Sequence, residues 1–158
     1  MGLDMYLKRK VYYGLHYEHN NTGKTEIIIN GEKINHSELS LIEFNAAYWR
    51  KFNALHNYFV KNHQKGNDDC KEYYIDKEDL QKIITLCEED IKYLNTLEIK
   101  DDNYVNVNID KLNLKPIAGF FFGSTNIDIW HFDQLENTID QIKNALSYDG
   151  DFYYQSSW

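Results

Sequence analysis

The chain has 158 residues, a formal net charge of −8, 42% hydrophobic and 15% aromatic residues, and a single proline. A chain of that length buries about 70% of its unfolded surface, so it builds one core without disulfide or metal staples, and its composition excludes a disordered or fibrous polymer. Residues 1–66 hold nine Lys/Arg against six Asp/Glu and residues 67–158 hold eight against nineteen, an acidic excess that argues against direct binding to a nucleic-acid backbone.

Residues 3–13 (LDMYLKRKVYY) alternate and are rich in aromatic and β-branched side chains, which predicts a first strand. His16 to Lys24 is a polar turn. Thr25–Ile29 and Glu32–Ile34 flank Asn30-Gly31, the pair that tolerates positive φ at both central positions of a type I′ turn, so a hairpin is expected here. Ser40 and Glu43 have the spacing of a capping box. Behind them Leu41, Phe44, Tyr48, Phe52, Leu55 and Phe59 recur at three- and four-residue steps, predicting a helix of about six turns that ends near His63.

Gly66 to Asp69 is a loop and Glu72–Ile75 a short strand. Asp76 and Asp79 open a second helix whose stripe is Leu80, Ile83, Ile84, Cys87, Ile91 and Leu94, which makes Cys87 a core residue. Val105, Val107 and Ile109 alternate with asparagines and predict a strand over 104–109. Phe120-Phe121-Phe122 reads as a buried strand stopped by Gly123-Ser124-Thr125. A third helix follows, with Phe132, Leu135, Ile139, Ile142 and Leu146 on one face, capped by Asn126 or Asp128 and ended by Asp149-Gly150. The closing DFYYQSSW has the aromatic density of a strand. The expected fold is a single α+β domain, 1–158, in which a mostly antiparallel sheet carries three helices on one face.

No Walker A loop, G-x-G-x-x-G, G-x-S-x-G, H-E-x-x-H or EF-hand loop is present. Cys70 and Cys87 have no metal-binding spacing and read as reduced thiols, and His16 and His19 fall in the turn, so no metal or cofactor is expected. No segment reads as a membrane span, and Tyr6 stands where a myristoylation signal wants Ser or Thr.

Three constellations can carry function. On the first predicted helix Trp49, Asn53 and His56 border the apolar stripe while Arg50 points away, a flank able to stack on and hydrogen-bond a planar ligand, or a boundary row that merely packs. Ser124 and Thr125, before the third helix, offer hydroxyls and N–H groups to an anion, with Tyr74 as a further contact. Thirteen Tyr, eight Phe and three Trp exceed what a core of this size can satisfy, so residues such as Trp130 and Trp158 are expected to serve a partner, beside the acidic Glu88, Glu89, Asp101 and Asp102. A further alternative is a small hydrolase or transferase that uses His56 with Glu72 as acid and base.

The segments MGLDMYL, YWRKFNALHNYF from Tyr48, CKEYY from Cys70, FFFGST from Phe120 and the terminal FYYQSSW resemble small phage and prophage proteins of unknown function. Residues 15–36 and 97–115 lie outside that resemblance. It implies expression in a bacterial host cytoplasm and an accessory role. The expected function is non-enzymatic: antagonism of a host defence or nucleic-acid-processing system by direct binding to a host protein, a basic one on charge grounds. The alternative is sequestration of a nucleotide-like messenger. Neither nucleic acid nor membrane is expected as a direct partner, and a second copy of the chain is a further candidate partner.

Overall fold

In a computed structural model, residues 2–13, 26–34 and 39–158 are described. The polar turn at 16–24 and the His16/His19 pair lie outside them. The central sheet is antiparallel with order β4-β1-β8-β5, where β1 is Asp4–Tyr12, β4 is Leu41–Arg50, β5 is Tyr73–Ile75 and β8 is Asp151–Ser157. Two small hairpins accompany it, β2 (Ile28–Ile29) with β3 (Glu32–Lys33), and β6 (Ile99–Lys100) with β7 (Asn103–Tyr104). The turn of the first is Asn30-Gly31, both at positive φ as the pair of residue types predicts.

One face of the sheet is dry. Met5 and Leu7 of β1, Ala47 and Trp49 of β4, Ile75 of β5, and Phe152 and Tyr154 of β8 point to it and are buried. Three helices cover that face: α1 (Asn53–Asn62), α2 (Lys77–Leu94) and α3 (Ile129–Leu146). They contribute Leu55 and Phe59, Leu80, Ile83 and Cys87, and Leu135 and Ile142 to one core. Asp76 caps α2 by accepting the Asp79 N–H at 2.6 Å, and Asp128 caps α3 by accepting the His131 N–H at 2.9 Å. The α+β reading and its single helical layer hold.

Among the described residues, no helix covers the other face. Lys8 and Lys10 of β1 stand between Glu43 of β4 and Glu72, with Lys8 Nζ 3.3 Å and 2.6 Å from the two carboxylates. Hydrogen bonds from Lys10 and Lys8 hold the Glu72 carboxyl below its usual range. Tyr6 packs on Tyr48 and Tyr74 on Tyr153 around this group.

Three expectations fail, each for a local reason. The helix predicted from Ser40 is a strand as far as Arg50, then α1. Ser40 makes no capping box: its carbonyl accepts the Tyr13 N–H in the ladder, and Glu43 faces the lysines. A β-bulge opposite Leu7 and Lys8 inserts one extra residue into β4, so the inward set passes from Ile42 and Phe44 to Ala47 and Trp49, and the interrupted alternation imitates helical spacing. Lys51, at φ 58°, separates strand from helix.

Beyond Tyr104, the last residue of β7, residues 105–109 do not form a strand. Asp101 and Asp102, both at positive φ, turn β6 into β7, Asn106 is again left-handed at φ 57°, and a 3₁₀ turn follows at Ile109–Lys111. Asn and Asp adopt that conformation more readily than other side chains, and they end the pairing here. The Phe120–Phe122 run is a turn, closed by Phe122 N–H to Gly119 C=O, and it exposes 94% of Phe120.

Candidate functional site

Four of the motifs singled out in the sequence, MGLDMYL, YWRKFNALHNYF, FFFGST and FYYQSSW, meet at the loop 117–125, at the end of the sheet where β1 begins and β4 and β8 end. The fifth, CKEYY, joins that end of the sheet only through Cys70, whose carbonyl accepts from Gln155 at 3.1 Å. Asn53, at the start of α1, is buried and turns its side chain into that loop: Nδ2 donates to the carbonyls of Phe122 (3.1 Å) and Ser124 (2.7 Å), and Oδ1 accepts the Ile117 N–H (3.3 Å). The Leu3 N–H adds a fourth bond, to the Phe121 carbonyl at 3.0 Å. The Phe122 ring lies edge-on to His56 at 4.9 Å and to Trp158 at 6.3 Å. Gly123, at φ +85°, backs onto the Lys51 side chain, where a Cβ would approach Lys51 Cβ to 3.1 Å.

Beneath the loop runs a buried polar chain. His56 Nδ1 is 2.7 Å from the Tyr154 hydroxyl and its Nε2 is 2.9 Å from Asp68 Oδ2. A carboxylate only accepts, so Nε2 carries the ring proton and Nδ1 accepts from Tyr154. Burial pushes the His56 pKa below its usual value against the opposing pull of Asp68, and burial also raises the Tyr154 hydroxyl well above its usual range. His56 is neutral, and both of its nitrogens are committed to holding α1, β8 and the loop before Cys70 together. It cannot work with Glu72, which pairs with lysines on the opposite face of the sheet. The sequence-level acid/base pairing therefore fails on geometry.

Beside the loop, α3 runs along the outer edge of β4. Trp130, Gln134, Asn137 and Gln141 face that edge at four- and three-residue steps. At Gln141 the gap is closed. Toward Trp130 it opens into a groove of about 440 Å³ lined by Trp49, Arg50, Lys51, Trp130, Gln134 and Asn137. Trp130, 41% exposed, also borders a second, acidic cleft with Asp102, Asp128 and Asp133. The bridge between Asn103 and Asp128, and the Ile129 N–H donated to the Asp102 carbonyl at 2.9 Å, fix the β6–β7 turn against the start of α3.

Trp49, Arg50, Asn53, His56 and Ser124 thus come together at this end, but in different roles from a shared helical flank. Trp49 and Arg50 are consecutive strand residues on opposite faces, and Asn53 and His56 are bonded within the fold. Thr125 is exposed on the loop. Tyr74 lies on the open face of the sheet, away from all of them. Of the acidic and aromatic candidates, Asp101, Asp102, Trp130 and Trp158 belong to this end. Glu88 pairs with Lys143 at 3.2 Å and Glu89 accepts from Asn113 at 3.0 Å, both on the helical layer.

Sequence reasoning missed Phe120, Lys51, Gln134 and Asp133. Nothing in a Phe-Phe-Phe triplet announces that its first ring is outside, and the two glycines bracketing it were the available signal. No family model matches the chain, and neither a curated protein nor a solved structure matches it.

Proposed function

We propose that this is a non-enzymatic accessory protein that docks a host protein through the loop end of its sheet, in the phage setting that the motif resemblance implies, and so antagonises a host defence or nucleic-acid-processing system. The observation that carries the reading is Phe120: an aromatic side chain 94% exposed on a loop whose base is held by Asn53 and Leu3. Exposing a phenyl ring costs about 2 kcal/mol relative to burying it, and a partner pocket recovers that. Trp158 and Trp130, both partly exposed, flank the same end, and Asp101, Asp102, Asp128 and Asp133 favour a basic partner surface.

The test is site-specific photocrosslinking in the bacterial host, with the photoreactive residue at 120 in one variant and at 89 in another. A discrete adduct from position 120 that is absent from position 89, and is competed by the wild-type chain, supports the reading. Equal adducts from both positions, or none from 120, overturn it.

A further inference from the structure

Gln141 shows how the free edge of β4 is read by a planar amide: its Oε1 accepts the Tyr48 N–H at 2.8 Å and its Nε2 donates to the Tyr48 carbonyl at 3.0 Å. Antiparallel ladders alternate, with one residue bonded to its neighbour strand and the next facing away. Lys51 bonds inward, its N–H donating to the Leu3 carbonyl at 2.8 Å, so the main chain of Arg50 faces the same edge as that of Tyr48. No side chain of α3 completes Arg50 as Gln141 completes Tyr48, and at that point the 440 Å³ groove opens.

The groove is chemically mixed. The Arg50 side chain is 62% exposed with one carboxylate, Asp4, 4.0 Å away, and Lys51 has no ion pair among the described residues. The Trp130 indole borders the groove, and the Gln134 and Asn137 side-chain amides have no bonded partner among the described residues. Trp49, another lining residue, is buried with its indole N–H lacking an acceptor there. Together these are an edge that pairs with an adjacent donor and acceptor, an aromatic wall, amides, and two cations.

We infer that the groove between the Arg50 end of β4 and the Trp130 end of α3 is a binding site for a nucleoside phosphate. The base presents its hydrogen-bonding edge to the Arg50 main chain, as the Gln141 amide does to Tyr48. The Trp130 indole packs against the base, and the phosphate meets the Arg50 guanidinium and Lys51 ammonium. Every nucleobase offers a neighbouring donor and acceptor, so the geometry selects the class and not one base. The site shares Trp130 with the docking end but makes no use of the Phe120 anchor, and it stands or falls without it.

The experiment is titration of the full chain with adenosine 5′-monophosphate, followed by calorimetry and tryptophan fluorescence, with adenosine and ribose 5-phosphate as half-ligands. Saturable one-to-one binding, with each half-ligand at least about tenfold weaker, is expected. Arg50→Glu and Trp130→Ala, both at exposed positions, should each weaken binding by about tenfold or more with unchanged circular dichroism, and Arg50→Ala should fall between. Phe120→Ala should bind the nucleotide as the parent does while losing the partner, which distinguishes failure of this site from failure of the Phe120 anchor. Absence of binding to about 5 mM nucleotide, ribose 5-phosphate binding as tightly as the nucleotide, or equal affinity in Arg50→Glu would each overturn the inference.

Discussion

The Gln141 side chain and the Tyr48 main chain form a closed two-bond ring, helix α3 supplying to the edge of β4 the pairing that another strand would supply. Unpaired edges invite association with other chains, and a side-chain amide in this position occupies the edge from within the molecule.

Replacing that amide tests the role. Gln141→Ala leaves the Tyr48 N–H and carbonyl unmatched by protein, with an expected cost of about 1–2 kcal/mol and more self-association at high concentration. Chemical denaturation and light scattering read the two effects. Gln141→Glu keeps an acceptor for the N–H but loses the donor to the carbonyl, and is expected to be at least as destabilising.

Gly119 sits where the loop closes on itself, and a Cβ there would come within 2.5 Å of Phe122 Cγ. Gly119→Ala must displace the Phe122 ring from its place between His56 and Trp158. We expect a loss of about 1–3 kcal/mol, a shifted tryptophan emission and weaker partner crosslinking from position 120. An unchanged emission spectrum would mean that the ring is not held as described.

His131 is buried against Phe52, its Nε2 has no partner among the described residues, and burial lowers its pKa to about 4. His56 shifts in the same direction. Both folded values lie below that of the unfolded chain, so the unfolded state binds more protons between pH 6.5 and about 4, and stability falls as pH drops through that window. For His131 alone the loss reaches roughly 3 kcal/mol below the window. His131→Phe, which keeps the contact with Phe52 and has nothing to protonate, should flatten the difference between urea midpoints at neutral and mildly acidic pH. Parallel decline in parent and variant would exclude His131 as the source.

Asp90 is wholly buried on α2 and accepts from the main-chain N–H groups of Asn113 (2.7 Å) and Leu114 (2.9 Å). Burial raises its pKa, and these donors oppose that shift. Asp90→Ala strands both N–H groups, with an expected cost of about 2–4 kcal/mol and faster hydrogen exchange at residues 113 and 114. The interchain crosslink from position 120 should survive, because this clamp serves the helical layer and not the loop end.

Much of the fold was legible. β1, the Asn30-Gly31 hairpin, α2, α3 and β8 follow from periodicities and caps that local physics enforces wherever they occur. β4 was not, because the bulge at Ala46-Ala47 breaks a period-two pattern, and a bulge is chosen by the partner strand. The strand misread at 104–109 shows the converse: alternation is present, but the pairing with β6 ends after Tyr104, where Asn106 leaves the β region. At the candidate site the residue types stood out while their roles did not. Asn53 looked like a ligand contact because a buried amide and a binding amide are identical in sequence. Only its bonds to Phe122, Ser124 and Ile117 distinguish a tether from a reader.

That tether also bears on the kinetics of any complex formed through Phe120. Since Asn53 orders the loop base when the protein folds, little conformational freedom remains to be surrendered at the base on association. Encounter is then limited by orientation, and the lifetime of the complex by how well the partner's cavity fits the exposed ring. In the proposed complex a single-residue change at the lining of the partner's cavity would shorten residence far more than it would slow arrival.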